Sequence, residues 1–277
     1  MTTLSMQLQQ YLDRIDYHGD LRPELPVLVA LQRCHVCAVP FENVDVQLGY
    51  PLSTRVEEAY QKVVVEGRGG WCYTQNGLLG WALTEIGFDV TRIAAGVMRH
   101  VRGKIADANH LCLLVRCADA AGQYLVDVGF GGSMITPIRL MEAGYEQPPF
   151  RIGLTNLAAN RWRFWEDLGN GAFSYDFIAE TADENALAEK CEFLQSDPTS
   201  VFVLNLVAQV RSPQAHRSLR GRVFTTATPA GVDSRTLHSG AELAATLAEY
   251  FRLDVPEVAE LWPRIAARHE EHMRSRS

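Results

Sequence analysis

The chain has 277 residues, 47% hydrophobic and 21% charged, with 26 basic against 33 acidic side chains and a formal charge of −7. That supplies enough apolar material for a sizeable core in one or two domain-sized units, and the acidic balance argues against general nucleic-acid binding while leaving room for a local basic pocket. No apolar run approaches the ~20 residues that cross a bilayer, and the polar stretch from Met1 to Asp16 lacks a secretory signal's apolar block, so a cytoplasmic protein with no membrane attachment is expected.

The first ninety residues read as helical. Leu4, Leu8, Tyr11, Leu12 and Ile15 recur at helical spacing up to Gly19, and a second stretch runs from about Glu24 to Cys37 and stops before Pro40. A third is expected from Thr54, paired with Glu57 as a capping box, to about Val65. The segment Glu66-Gly67-Arg68-Gly69-Gly70 breaks that pattern. Beyond it Leu78, Leu79, Ala82, Leu83 and Ile86 form an apolar stripe that ends at Gly87.

From Phe88 the period changes. Phe88 to Met98, His110 to Cys117 and Gln123 to Phe130 read as strands, followed by Arg151 to Leu154, Arg161 to Glu166, Phe173 to Ala179, Phe202 to Val210 and Arg222 to Thr226. So many short strands suggest a strongly curved sheet or barrel. Ser239 and Glu242 form a second capping box ahead of a helix to about Phe251, and Val258, Leu261 and Ile265 stripe a last one. The expected organisation is α+β in one compact body, with helices over 1–87, strands over 88–200 and a mixed α/β part over 201–277.

Six cysteines in a chain of this length are not a disulfide framework. Cys34 and Cys37 have redox or zinc spacing and could recruit Cys112 and Cys117, but helix and hairpin positions do not make a compact four-ligand site, so free thiols and no metal are expected. His269-Glu270-Glu271-His272 lacks the two-residue gap of a zinc-protease helix and reads as a solvated helix end.

Arg68-Gly69-Gly70-Trp71-Cys72 puts a cysteine after a flexible turn, at the first residues of a helix. Unpaired N–H groups and the positive dipole end favour a thiolate there, and the Cys72 N–H can donate to an oxyanion. A buried cysteine that merely starts a helix is the competing reading. A nucleophilic thiol needs a base and a group to orient it. Asp127 lies in an apolar strand, where an unpaired charge is expensive. If the two strands pair so that Leu114 faces Gln123, His110 faces Asp127 on the same side of the sheet. The competing reading has Asp127 capping a turn at Gly129.

Arg68-Gly69-Gly70-Trp71-Cys72, Asn109-His110-Leu111 and Val126-Asp127-Val128-Gly129-Phe130-Gly131-Gly132 resemble, in order, three signatures of the arylamine N-acetyltransferases. Pro40-Phe41-Glu42-Asn43 and the stretch from Asp197 to Val203 resemble two more, over about residues 8–255 in all. The resemblance implies a helical bundle, an antiparallel β-barrel and an α/β lid, with a core related to papain-like cysteine proteases. It implies a Cys72–His110–Asp127 triad, acetyl-CoA as acyl donor, and an arylamine, hydrazine or N-hydroxyarylamine acceptor acetylated by a ping-pong route. An amide synthase or thiol hydrolase with the same triad is the alternative. Asn109, Gly129, Gly131 and Gly132 fall where coenzyme A would be bound, and Phe41, Phe130 and Phe202 where the acceptor would sit. Arg68 is expected to pair with Glu42 and brace the nucleophile loop. Thr74 and Asn109 depart from the residues common in the family, Glu and Thr respectively.

Overall fold

The computed structural model describes residues 5–169 and 171–274, apart from the side chains of His272 and Met273. Leu4 of the first expected helix and the side chain of His272 therefore lie outside the described residues.

The N-terminal part holds α1 (Met6–Arg14), α2 (Leu25–Ala38), α3 (Val44–Leu48), α4 (Val56–Tyr60), which continues as one wide π turn (Gln61–Val65), and α5 (Cys72–Ile86). Leu78, Leu79, Ala82 and Leu83 of α5 pack against Leu8, Tyr11, Leu28 and Leu31, which gives the apolar stripe its burial partner. Gly87 closes α5 in the left-handed conformation at φ 105°. The capping box expected at Thr54 does not form. Arg55 precedes the first turn of α4 without a side-chain cap, and Ser53 instead bonds Glu58 and the Arg55 N–H.

An eight-stranded antiparallel sheet follows, nearly closed into a barrel. It is built from β2 (Asp89–Val97), β3 (His110–Arg116), β4 (Tyr124–Val126), β5 (Ile138–Arg139), β6 (Ala143–Gln147), β7 (Phe150–Ala158), β8 (Arg161–Asp167) and β9 (Phe173–Ile178), in the spatial order β5-β4-β3-β2-β9-β8-β7-β6. Strand β3 is covered on both faces. Cys112 and Leu114 enter the barrel core with Ile93, Ile152 and Phe164, while Leu113 and Val115 meet the helices. That is why its sequence runs apolar without alternating. A short helix α6 (Arg99–Arg102) links β2 to β3.

The remainder contains α7 (Glu184–Ser196), α8 (Val201–Leu204), β10 (Val207–Arg211), β11 (His216–Arg220), β12 (Val223–Thr228), β13 (Gly231–Thr236), α9 (Gly240–Phe251) and α10 (Trp262–Arg274). The strand expected over 202–210 starts only at Val207. Ser200 accepts the Phe202 N–H and coils the preceding residues into one helical turn. Ser239 caps α9 as expected, accepting the Glu242 N–H. The second sheet has the order β1-β10-β11-β12-β13, and its edge strand β1 (Phe41–Glu42) comes from the helical N-terminal part.

Candidate active site

Cys72 is the first residue of α5, and no side chain caps that helix start. The approach is held from two sides. Gly70 forms a parallel bridge with Phe41, its carbonyl accepting the Glu42 N–H and its N–H donating to the Pro40 carbonyl. Gln75 Nε2 donates to the same Gly70 carbonyl at 2.7 Å. A side chain at Gly69 would collide with the Pro40 carbonyl and Glu42, and one at Gly70 with Thr74, so the double glycine lets the nucleophile loop lie flat on β1.

His110 begins β3, and its Nε2–H donates to Asp127 Oδ2 at 2.7 Å. Cys72 lies close enough to act on the charge of the ring. All three side chains are buried, at 3, 2 and 1% exposure for Cys72, His110 and Asp127. The expected register needs correction. Leu114 faces Leu125, not Gln123, so β4 is displaced by two residues and Asp127 lies past the last ladder pair, Leu113 with Val126. A slip of two keeps every side chain on its original face. His110 and Asp127 thus meet as a diagonal pair, still within reach of each other.

Both sequence readings of Asp127 hold at once. Oδ2 accepts from His110, while Oδ1 accepts from the Gly129 N–H at 2.9 Å and from Asn76 Nδ2 at 2.8 Å. Asn76, one turn below Cys72 and fully buried, also donates to the Leu111 carbonyl and accepts the Val128 N–H at 3.0 Å. It ties the helix of the thiol to the strand of the imidazole and the loop of the carboxylate. The sequence reading passed over it, although an asparagine inside the apolar stripe of α5 was the available signal.

For His110, burial acts first and disfavours the charged ring. The adjacent Asp127 carboxylate, and after it the nearby Cys72, outweigh it and raise its pKa to about 10. The imidazolium so favoured is held by the carboxylate beside it. Tyr175 packs on the ring at 4.7 Å and Phe130 at 5.2 Å. Glu166 of β8 is near enough to feel the charges of this group. Burial and the Asp127 charge, opposed by Ser133 and His110, raise its pKa to about 8 and hold the carboxyl neutral near pH 7.

The aromatic candidates fall on two sides of the sulfur. Phe41 and Phe202 share an apolar cluster with Cys72, Phe202 lying 5.5 Å from the Trp71 ring and 6.2 Å from Phe41. Phe130 sits over His110 and stacks on Phe173 at 5.2 Å.

Of the residues expected at the donor site, Asn109, Gly129 and Gly131 each make a hydrogen bond within the protein. Asn109 Oδ1 accepts the Val97 N–H at 2.7 Å and fastens the end of β2. The Gly129 N–H is committed to Asp127 and is not free for a phosphate. A Cβ at Gly129 would lie 2.6 Å from the Cys72 Cα, so glycine is required by the closeness of the two chains. At Gly131 the Gln209 side chain occupies the space of a Cβ and the carbonyl accepts from His216 Nε2 at 2.7 Å, while Gly132 lies against Arg211. Arg68 pairs with Asp45 at 2.6 Å, not with Glu42. Lys62 takes Glu42 at 2.9 Å and Asp45 at 2.6 Å. Glu42 turns away because its Oε2 accepts the Val44 N–H. The four charges still brace the nucleophile loop from below.

All six cysteines are unpaired, with Cys34, Cys37 and Cys117 half-buried. Among the described residues no group of histidine, cysteine or acidic side chains is placed to hold a metal, and no helix is long and apolar enough to cross a membrane.

A barrel flanked by helices thus brings a buried cysteine, histidine and aspartate together, and the comparisons place this chain among the acyltransferases. The family pattern described as N-acetyltransferase spans residues 24–260. The chain is 35% identical over 268 residues to the arylamine N-acetyltransferase of Mycolicibacterium smegmatis, covering 92% of this chain and 95% of that one. The solved M. smegmatis arylamine N-acetyltransferase superposes with a TM-score of 0.86 at 32% identity, covering 95% and 98% of the two chains. The Mycobacterium marinum enzyme in complex with CoA gives 0.84 at 32% identity, with 94% and 97% covered. The chain belongs to the arylamine N-acetyltransferase family.

Proposed function

We propose that the protein transfers an acetyl group from acetyl-CoA to an arylamine, hydrazine or N-hydroxyarylamine through an acetyl-cysteine at Cys72. The observation that carries this reading is His110 bonded to Asp127, with the buried Cys72 near enough to act on the charge of the ring. The Cys72 thiolate attacks the thioester carbonyl carbon, forming a new C–S bond. Charge gathers on the carbonyl oxygen, where the N–H groups at the uncapped start of α5 can meet it. The C–S bond to coenzyme A breaks, and its sulfur leaves with the proton carried by His110. The amine nitrogen then attacks the acetyl-cysteine, His110 accepts an amine proton, and Cys72 departs as thiolate.

Thioester exchange is nearly balanced in energy, so the protein's work is alignment and oxyanion stabilisation. An aromatic amine suits the second half because it is unprotonated near pH 7. Phe41 and Phe202 on one side, and Phe130 over His110, offer apolar faces to such a ring. The CoA-bound M. marinum relative supports the choice of donor. The test is mass spectrometry after incubation with acetyl-CoA. One acetyl increment on the Cys72 peptide, removed by an arylamine, is expected; an unmodified Cys72 beside a labelled control enzyme overturns the donor assignment.

A further inference from the structure

Three fully buried polar side chains, Tyr11 of α1, His35 of α2 and Gln75 of α5, lie between the first helix and the glycine turn ahead of Cys72. The Tyr11 hydroxyl is 2.8 Å from His35 Nδ1. At the other end Gln75 Nε2 donates to the Gly70 carbonyl at 2.7 Å. In the middle, His35 Nε2 and Gln75 Oε1 are both buried and have no hydrogen-bond partner among the described residues. Gln75 is nonetheless near enough to act on the charge of the His35 ring. Two orphaned polar atoms of this kind are costly in an interior, and native folds pair them.

The hydrogens can be placed from what each group is able to supply. Burial, and after it the Arg14 charge, hold the His35 pKa down at about 3, so near pH 7 the ring is neutral, with one nitrogen donating and the other accepting. Burial also keeps the proton on Tyr11. That hydroxyl has no acceptor besides His35 among the described residues, so its hydrogen goes to Nδ1 and the ring hydrogen belongs on Nε2. The Gly70 carbonyl claims the NH₂ of Gln75 and thereby turns the amide oxygen the other way. A donor on His35 and an acceptor on Gln75 are what remain.

We propose that His35 Nε2–H donates to Gln75 Oε1 and closes a one-way chain of hydrogen bonds, Tyr11 to His35 to Gln75 to the Gly70 carbonyl, which makes His35 and Gln75 positioning residues for the nucleophile turn. Every donor in it points toward the turn, so each bond strengthens the next. Gly70 needs such a hold because glycine leaves the backbone free to rotate, and its carbonyl otherwise accepts only the Glu42 N–H at 3.1 Å. Trp71 alone separates Gly70 from the residue that carries the sulfur. The first helix grips the same loop again through Arg14, three residues past Tyr11, whose guanidinium donates to the Gly67 and Arg68 carbonyls at 3.2 and 3.3 Å. The inference rests on Cys72 being the residue that is acylated.

Nitrogen NMR of protein labelled with ¹⁵N-histidine tests the closing bond, the His35 signals being those lost in His35→Gln. A hydrogen on Nε2 alone is expected near pH 7; one on Nδ1, or on both nitrogens, overturns the chain. The effect on the turn is read in protein folded by circular dichroism, as the rate of Cys72 acetylation at saturating acetyl-CoA and as Cys72 alkylation by iodoacetamide. Tyr11→Phe should slow both about threefold and Gln75→Met about tenfold, with KM for acetyl-CoA unchanged. Because the bonds act in series, the double variant should be no slower than Gln75→Met alone. Rates equal to wild type, a loss confined to KM, or a double variant slowed by the product of the two single losses each refute the positioning role. Should Gln75→Met not fold, Tyr11→Phe decides, an unchanged alkylation rate refuting the chain. A wild type that acetyl-CoA leaves unmodified fails the donor reading instead, and alkylation then tests the chain on its own.

Discussion

Replacing Asp127 by asparagine keeps the shape and removes the charge, and the structure dictates which way the new amide turns. Two donors, the Gly129 N–H and Asn76 Nδ2, converge on Oδ1, so the amide oxygen must take that place and the NH₂ must face His110. His110 Nε2 then meets a donor and has to give up its proton, which moves the remaining ring hydrogen to Nδ1, on the side of Cys72. A ring with its hydrogen aimed at the sulfur cannot accept the thiol proton. The charge is lost as well. Raising an imidazole from 6.5 to about 10 favours its protonated form by roughly 5 kcal/mol, and Asp127 supplies the larger share of that push. Wrong-tautomer substitutions of this kind in serine triads cost about 10⁴ in turnover, equivalent to roughly 5 kcal/mol of barrier. Acetylation of Asp127→Asn by acetyl-CoA, followed by rapid quench and mass spectrometry, is therefore expected to be 10³ to 10⁴ slower. Iodoacetamide labelling of the Cys72 peptide at pH 7 should slow in parallel. A variant with correct circular dichroism that acetylates within tenfold of wild type would refute the coupling of carboxylate, imidazole and thiol.

Gly129→Ala places a methyl 2.6 Å from both the Cys72 Cα and Asn76 Nδ2; acetylation should drop at least a hundredfold while the melting temperature falls by a few degrees, both read on one preparation. Lys62→Met strands Glu42 and half of Asp45 in the interior and should cost about 3–5 kcal/mol in urea unfolding; adding Glu42→Gln should restore part of it, and a single variant as stable as wild type contradicts the buried network. Burial holds His35 down to about 3 and His216 to about 4, so each binds a proton more readily when unfolded and stability should fall below pH 6.5 by roughly 1.4 kcal/mol per pH unit per histidine. His110 has the opposite sign: its contribution is complete below pH 6.5 and disappears as pH rises through about 10. Thermal melts from pH 5 to 10.5 should show both limbs, with the acid limb shallower in His35→Gln and the alkaline limb flatter in His110→Gln.

Much of this molecule is visible in its residues because local and global demands agree. The stripe from Leu78 to Ile86 with Gly87 behind it, the run from His110 to Arg116 and the Ser239 cap each follow from periodicity or one side-chain bond. Elements held mainly by pairing were not visible. Strand β13 is exposed along its length and has no apolar alternation, being held by its ladder to β12. Helix α7 was legible but unread: Asp183 caps it, and Leu187, Cys191 and Leu194 stripe its buried side. The meeting of His110 and Asp127 was inferred from the cost of a lone carboxylate in an apolar strand. The two-residue slip that makes the pair diagonal depends on turn geometry that composition does not encode. Asn76 escaped because its three partners come from segments 35 to 52 residues away.

The two residues of β1 act as a seam. One edge of Phe41–Glu42 grips the glycine turn ahead of the sulfur, and the other pairs with β10, more than 160 residues further along the chain. Two residues thus join the loop of the reactive atom to the far half of the polypeptide. A strain on the second sheet therefore has a two-residue path by which to reach the turn ahead of the sulfur.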